Sequence, residues 1–157
     1  MENALPYDAM TEDAVLGSVI TNPGEYEAVA KYFANSDVFY QRKARLLWAK
    51  IRQMKRDKQK IDMVTVCLAV TQKDIDKGLT KYYITGCTTG SCTKGMTELY
   101  SNELYEKYLM RKIIVKADEI KVNAEDNDKD IYKTISETHS ILSEILNIRP
   151  SMASDIE

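Results

Sequence analysis

Residues 86–95 contain the residue types that bind phosphate, since three glycines alternate there with hydroxyl side chains and Lys94. A Walker loop needs the order Gly-x4-Gly-Lys-Ser/Thr, so that backbone amides surround the phosphates while the lysine and the hydroxyl reach phosphate and magnesium. Here Lys94 precedes the last glycine, and Met96 follows that glycine. We therefore interpret residues 86–95 as a flexible loop rather than a nucleotide site.

The same segment holds Cys87 and Cys92, which are separated by four residues. Structural zinc sites normally use closely spaced pairs of ligands, and the only further cysteine and histidine are the distant Cys67 and His139. His139 has no recognisable nucleophile arrangement and is expected at the edge of the helical core. The many carboxylates show no pattern that assigns acid and base roles. We expect no catalytic, cofactor-binding or metal-binding residues in this chain.

Composition narrows the class of protein further. The chain has 157 residues with 22 basic and 24 acidic side chains, so its net charge does not mark it as a nucleic-acid or membrane binder. Its apolar runs are far shorter than the roughly 20 residues that span a bilayer. A polar, acidic start and three cysteines are typical of a reducing cytoplasm, so we expect a cytoplasmic protein with no membrane contact.

Apolar residues recur at helical spacing through most of the first half of the chain, which predicts a small multi-helix globule. The third predicted helix has the clearest stripe: Ala44, Leu47, Trp48, Ile51 and Met54. Asn22 is predicted to cap the second helix, which would bury Tyr26, Val29, Ala30 and Phe33. Asp62 is predicted to cap the fourth, which would turn Val64, Val66, Cys67 and Leu68 inward. The predicted helices span residues 8–20, 23–34, 41–56 and 62–71, with a shorter one around Leu79, Tyr82, Tyr83 and Ile84.

Two long helices, at about residues 97–122 and 129–146, are predicted to form an antiparallel hairpin. The first has two apolar sides and so needs two packing partners. The second helix is expected to cover one side with a seam of Ile131, Ile135, Thr138, Leu142 and Ile145, spaced 4, 3, 4 and 3. The other side is left for the globule or for another molecule. The fold class is therefore all-α, with a globule at 1–95 and a hairpin at 96–147.

Two charged segments stand out. Nine basic residues and one acid lie between Arg42 and Lys60, a pattern that suits a solvated helix face or a surface that follows a phosphate backbone. No aromatic residues interleave there as stacking platforms, which favours the solvated face. Around the hairpin turn the acidic residues cluster, which is typical of a solvated turn and would also suit a basic partner. The cluster comprises Asp118, Glu119, Glu125, Asp126, Asp128 and Asp130.

The chain opens with Leu5-Pro6, a polar spacer, Glu12 and Ala-Val-Leu-Gly at residues 14–17. This opening and three further segments resemble the amino-terminal domain of DnaB-type replicative DNA helicases. The other three are Asp37-Val38-Phe39-Tyr40 with Arg45 and Trp48, then Ile61-Asp62-Met63-Val64-Thr65-Val66, then Tyr100 and Arg111 with Ile113 and Ile120. This chain departs from the pattern at Ala44, where the family has His, at Lys58 and Lys60, and near Gly78, where a Gly-Gly pair is missing.

The resemblance implies an all-helical, non-catalytic domain whose hairpins pair into dimers. Three dimers would form a collar that receives the C-terminal domain of primase, and the chain would contact DNA only through its parent helicase. ATP and magnesium would belong to an ATPase domain that follows residue 157, with residues 148–157 as the start of the linker and Pro150 ending the last helix. We thus expect a piece of a longer protein. The self-association residues would be Tyr100, Leu104, Tyr105, Tyr108, Leu109, Ile113, Ile120, Ile131, Ile135 and Leu142.

Two other functions stay open from the sequence. One is a nucleic-acid-binding module that uses the basic face at residues 42–60, and the other is a stand-alone regulator of a phage or mobile element that imitates the collar. The residues expected to contact DNA in the first case are Arg42, Lys43, Arg45, Arg52, Lys55 and Arg56.

Overall fold

The computed structural model describes residues 4–147, which form eight α-helices and no β-strand. The all-α prediction is therefore confirmed, including the final pair of long helices. The helices are α1 (Ala9–Thr21), α2 (Tyr26–Ala30), α3 (Arg42–Arg56), α4 (Met63–Leu68), α5 (Gln72–Asp76), α6 (Lys81–Thr89), α7 (Thr97–Glu125) and α8 (Ile131–Asn147). The predicted linker and the helix stop at Pro150 lie outside the described residues.

The chain divides into two compact units whose border falls inside α7. One unit is Tyr7–Glu106, and of the described residues the other combines 4–6 with 107–147. The predicted division near residue 95 corresponds to the start of α7, whereas the units themselves meet about three helical turns later. The first residues of the chain therefore belong with the hairpin and not with the globule.

Helix α1 lies at the centre of the unit Tyr7–Glu106, where it packs against α2, α3, α4 and α6. The predicted stripe on α3 is confirmed, since all five of its side chains are buried. Trp48 is fully buried, and its indole N–H donates to the carbonyl of Phe33 at 3.2 Å. The ring of Phe33 meets those of Phe39 and Trp48 edge-on, at centroid distances of 4.8 and 6.0 Å. An aromatic cluster thus forms the core beside α1.

The predicted helix over residues 23–34 is wrong in extent. Residues Pro23–Glu25 form a 3-10 turn, and α2 then ends at Ala30. Asn22 does not cap it with its side chain; instead its backbone N–H donates to Ser18 and closes the end of α1. Val29 and Phe33 are buried as predicted, while Tyr26 and Ala30 are half-buried. The chain leaves the helix because Phe33 must enter the core above Trp48.

The predicted cap at Asp62 is confirmed, but the helix after it is shorter than predicted. The Asp62 carboxylate accepts from the Thr65 N–H at 2.8 Å, and the Thr65 hydroxyl accepts from the Asp62 N–H at 3.0 Å. Helix α4 ends at Leu68 because Thr71 caps the next helix, α5, with a second capping box. Val66 is buried and Cys67 half-buried, whereas Val64 and Leu68 are exposed, so the inward placement of those two is wrong.

The predicted loop at residues 86–95 is partly helical. Thr80 caps α6, which continues through Gly86 to Thr89, so only residues 90–96 connect it to α7. Leu79 precedes this helix and is buried, and Tyr83 and Ile84 are buried within it, whereas Tyr82 is exposed. The glycine-rich composition concealed a helix that is held by packing against α1.

Candidate interaction surfaces

Ion pairs join the two helices of the hairpin beside the buried Thr134 and Ile141 of α8. The Lys116 ammonium lies 3.1 Å from the carboxylate of Glu144 on α8 and 3.1 Å from that of Glu119 on its own helix. Hydrogen bonding to these two carboxylates raises the pKa of Lys116 above its ordinary value. Near the turn, Lys129 lies 3.2 Å from Glu137 and donates to Asn123 at 2.9 Å. A polar cavity of about 360 Å³ lies beside these pairs.

Several large apolar side chains of the hairpin remain exposed beside these ion pairs. On each helix they precede the paired charge by the same number of residues: Ile114 lies two residues before Lys116, and Leu142 two before Glu144. Because the helices are antiparallel, this places both apolar stripes on one side of the hairpin. We call this surface the apolar hairpin face. Its large members, each between 40% and 70% exposed, are Met110, Ile113, Ile114, Ile131, Ile135, Leu142 and Leu146.

The predicted packing seam on α8 is correct only in part. Thr138 and Ile145 are half-buried, and Thr134 and Ile141 are the buried side chains of this helix. Ile131, Ile135 and Leu142, which were predicted to pack, are exposed. His139, predicted at the edge of the core, is exposed as well.

The ten residues predicted for self-association separate into three sets. Leu104 and Tyr105 are buried within the described chain, and the Tyr105 ring lies 6.1 Å from that of Tyr32. Packing inside the unit Tyr7–Glu106 accounts for at least this contact. Ile113 lies on the apolar hairpin face together with Ile131, Ile135 and Leu142 of α8. The four half-buried members are Tyr100, Tyr108, Leu109 and Ile120.

The basic residues of α3 also separate into two sets. Its lysines are engaged inside the unit: Lys50 lies 2.8 Å from Asp74 and donates to the carbonyl of Ala69, Lys55 lies 3.6 Å from Glu27, and Lys43 lies over the ring of Tyr83. The pKa of Asp74 is lowered to about 2, because hydrogen bonds from Lys50 and Thr71 outweigh its desolvation. In contrast, the arginines of α3 take part in no ion pair among residues 4–147.

The cysteines have structural surroundings. Burial raises the pKa of the Cys87 thiol to about 12, so this thiol is protonated and unreactive at neutral pH. Cys92 is held by Ser18. The Ser18 hydroxyl oxygen accepts a hydrogen bond from the Cys92 N–H at 2.9 Å and also contacts the Cys92 sulfur. Within the described part of the chain, no three His, Cys, Asp or Glu side chains are grouped as a metal would require. Nor does any helix there have the length and apolar character to cross a membrane.

The family model for the DnaB-like helicase N-terminal domain matches residues 4–106, about two thirds of the chain. The chain belongs to this family. Among solved structures it is similar to the N-terminal domain of DnaB helicase from Mycobacterium tuberculosis, with a TM-score of 0.81 and 15% identity over 90% of this chain and 99% of that one. A search of curated proteins found no match.

A second similar structure is a DnaB-like replicative helicase described together with its interactions with primase. The TM-score is 0.71 at 23% identity, and the match covers 93% of this chain. It covers only 32% of that helicase. At these identities both likenesses establish the fold of a DnaB N-terminal domain.

The glutamate of the DnaB-type opening, Glu12, has a structural role. It is almost fully buried, and its carboxylate accepts hydrogen bonds from the backbone N–H groups of Tyr40 at 2.6 Å and Gln41 at 3.0 Å. Gln41 is the N-cap position of α3 and makes no side-chain cap of its own. Glu12 therefore supplies the anion at the positive end of that helix from 28 residues away. This link also explains why the opening and the segment before α3 occur together.

The glycine that closes the same opening, Gly17, permits the closest helix contact in the globule. A Cβ atom at this position would lie 1.9 Å from the carbonyl oxygen of Cys87 and 2.5 Å from its carbonyl carbon. The backbones of α1 and α6 thus touch where Gly17 faces Cys87. No other residue type fits without moving one of the two helices.

The Leu-Pro pair at the start and the arginine of α7 are joined directly. The guanidinium of Arg111 is buried, donates to the carbonyl of Pro6 at 2.8 Å, and lies 5.9 Å from the ring of Tyr108. Two residues separated by 105 positions thus hold the beginning of the chain against α7. No local sequence pattern predicts this contact.

Proposed function

We propose that this DnaB N-terminal domain is an assembly and docking module of a replicative helicase, with no chemistry of its own. The apolar hairpin face carries the proposal. The face exposes seven large apolar side chains, and large exposed apolar patches mark protein interfaces. Among residues 107–147 only one apolar side chain, Ile141, is buried, so the hairpin has little core of its own. A second copy of the same hairpin would complete a four-helix bundle around these side chains.

Self-association is tested by placing a charge on the apolar hairpin face. Ile135→Asp puts a carboxylate where the proposed partner packs, whereas Ser136→Asp adds the same group to the next residue, which is exposed about 100° further around α8 and off the apolar hairpin face. Light scattering at tens of micromolar should show a dimer for the parent chain and for Ser136→Asp, and a monomer for Ile135→Asp. Circular dichroism confirms that both variants fold. A monomeric parent chain would overturn the proposal.

We further propose that pairs of this domain assemble into a trimer of dimers and receive the C-terminal domain of primase. The support is membership of the DnaB family and the similarity to a replicative helicase whose structure was described with its primase interactions. Calorimetry with the cognate primase C-terminal domain should give binding heat. A flat titration against the self-associated domain would contradict the docking role. ATP and magnesium belong, in this proposal, to another part of the parent helicase.

Direct DNA binding is the rival function, and the contacts of α3 weaken it, because its three lysines are already held within the unit. The rival requires affinity for single-stranded DNA that falls steeply with salt. Anisotropy of a labelled oligothymidylate at low and moderate salt distinguishes the two functions.

A further inference from the structure

Four arginines form a single stripe along α3. Arg42, Arg45, Arg52 and Arg56 are separated by 3, 7 and 4 residues, so they lie on one face of the helix, and Ala49 occupies the gap. The stripe is about 21 Å long, at 1.5 Å per residue. Arg42 and Arg56 are exposed, and the other two are half-buried. We call this surface the arginine stripe.

Within residues 4–147 the arginines of the stripe are not ion-paired, whereas the lysines of the same helix already have partners. Lys43, Lys50 and Lys55 lie off the stripe and contact Tyr83, Asp74 and Glu27. Among the described residues no carboxylate pairs with a stripe arginine, and Arg56 donates only to the neutral Gln53. Arginine forms bidentate hydrogen bonds with carboxylates and phosphates, so an unpaired row of four is suited to an anionic partner.

The chain itself carries a matching anionic surface at the hairpin turn. Residues 118–130 contain six acidic and two basic side chains, a net charge of −4. Lys116 pairs with Glu119, and Lys121 lies 4.0 Å from Glu125. No ion pair within residues 4–147 involves Asp118, Asp126, Asp128 or Asp130. We call residues 118–130 the acidic tip.

We infer that the arginine stripe of one copy binds the acidic tip of a second copy. The inference rests on the proposed function and adds to it: the apolar hairpin face builds a closed pair, and the stripe-to-tip contact joins one pair to the next. Such a contact uses two different patches, so it propagates and closes into a ring or continues as a filament. A nucleic acid suits the stripe less well, because no aromatic ring lies on it and the chain is net negative.

Charge reversal on each side provides the test. Arg45→Glu with Arg52→Glu reverses the stripe, and Glu125→Lys with Asp128→Lys reverses the tip. The helix dipole tolerates a glutamate near the start of α3 and a lysine at the end of α7. Lys73→Glu with Lys77→Glu is the matched control, since both lysines are exposed, lie off the stripe, and change the net charge by the same amount.

Sedimentation of the full 157-residue chain should show species larger than a dimer at about 0.1 M NaCl, and the dimer alone at about 1 M, where screening is strong. Each reversed variant should remain a dimer, with dimer–dimer association weakened by roughly tenfold or more. An equimolar mixture of the two reversed variants should recover the larger species, because each reversed stripe then meets a reversed tip. The lysine control should behave as the parent chain.

The outcomes separate the inference from the proposed function. A parent chain that dimerises but never associates further overturns the inference and leaves the hairpin pairing intact. Failure of the mixture to recover the larger species also overturns it. The last experiment measures binding of labelled oligothymidylate. Tight binding that is lost when the stripe is reversed, together with self-association that is unchanged when the tip is reversed, would assign the stripe to nucleic acid. That result would refute the second-copy contact.

Discussion

Replacing Gly17 with alanine tests whether the backbone contact between α1 and α6 sets the packing of the globule. The added Cβ would lie 1.9 Å from the Cys87 carbonyl oxygen and 3.1 Å from the Thr88 nitrogen. Ordinary contact requires the two backbones to separate by more than about 1 Å. Neither obstacle is a side chain that can rotate away, so the strain must be spread through both helices.

The magnitude follows from two opposing terms. Overpacking a core costs roughly 1–3 kcal/mol and occasionally more, and a clash with backbone belongs at the upper end. Alanine gains about 1 kcal/mol over glycine in a helix, which offsets part of this. We expect Gly17→Ala to lower the free energy of unfolding by roughly 2–4 kcal/mol, or Tm by about 5–15 °C for a chain of this size.

Gly86 is a matched control within the partner helix. It lies inside α6, and a Cβ there would meet no atom within 4 Å. Gly86→Ala should therefore show the helix-propensity advantage of alanine without a clash, and should raise Tm by about 2–4 °C. Thermal unfolding followed by circular dichroism measures both variants. If Gly17→Ala is as stable as the parent chain, the two helices separate easily and the explanation given for this glycine is wrong.

Three further predictions concern buried or paired charges. Glu12→Gln should lower the free energy of unfolding by roughly 1–3 kcal/mol in urea titration, since it removes the anion that accepts two backbone N–H groups at the start of α3; an unchanged midpoint would contradict that role. Asp74 has a folded-state pKa of about 2, so its stabilisation is complete above the unfolded value near 4 and is lost as pH falls towards 2. Asp74→Asn should reduce the loss of unfolding free energy between pH 4 and pH 2 by at most roughly 2 kcal/mol. A pH dependence identical to that of the parent chain would exclude the Asp74 carboxylate as its source. Arg111→Met should release Pro6, seen as faster hydrogen exchange at the neighbouring amides of Leu5 and Tyr7, and unchanged exchange would show that the contact does not hold the chain start.

Long periodic segments were the most predictable part of this fold. The α3 stripe and both hairpin helices follow from apolar spacing alone, and Asp62 follows from capping chemistry. The predicted helix at residues 62–71 ends early because Thr71 caps α5. The predicted helix at residues 23–34 differs at both ends, since Asn22 closes α1 and α2 stops at Ala30. Neither Asn22 nor Thr71 can be distinguished from an ordinary cap without the neighbouring helix.

Periodicity identified the apolar stripe of α8 but could not say what covers it. The prediction assigned Ile131, Ile135 and Leu142 to the nearest helix, whereas Lys116 and Glu144 join the hairpin and the stripe remains exposed. The contacts that explain the family opening were equally hidden. Glu12 meets Tyr40 across 28 residues and Arg111 meets Pro6 across 105, so only the folded chain brings them together.

The exposure of the apolar hairpin face links stability to concentration. Under the proposed pairing, the folded hairpin is a ligand for itself, so mass action stabilises it increasingly as protein is added. Its melting temperature is then a property of the solution as well as of the chain. Dilution would expose the face and make this unit the first to unfold, to aggregate or to be cleaved by a protease. In a cell, the abundance of the protein would set how much of it survives unpaired.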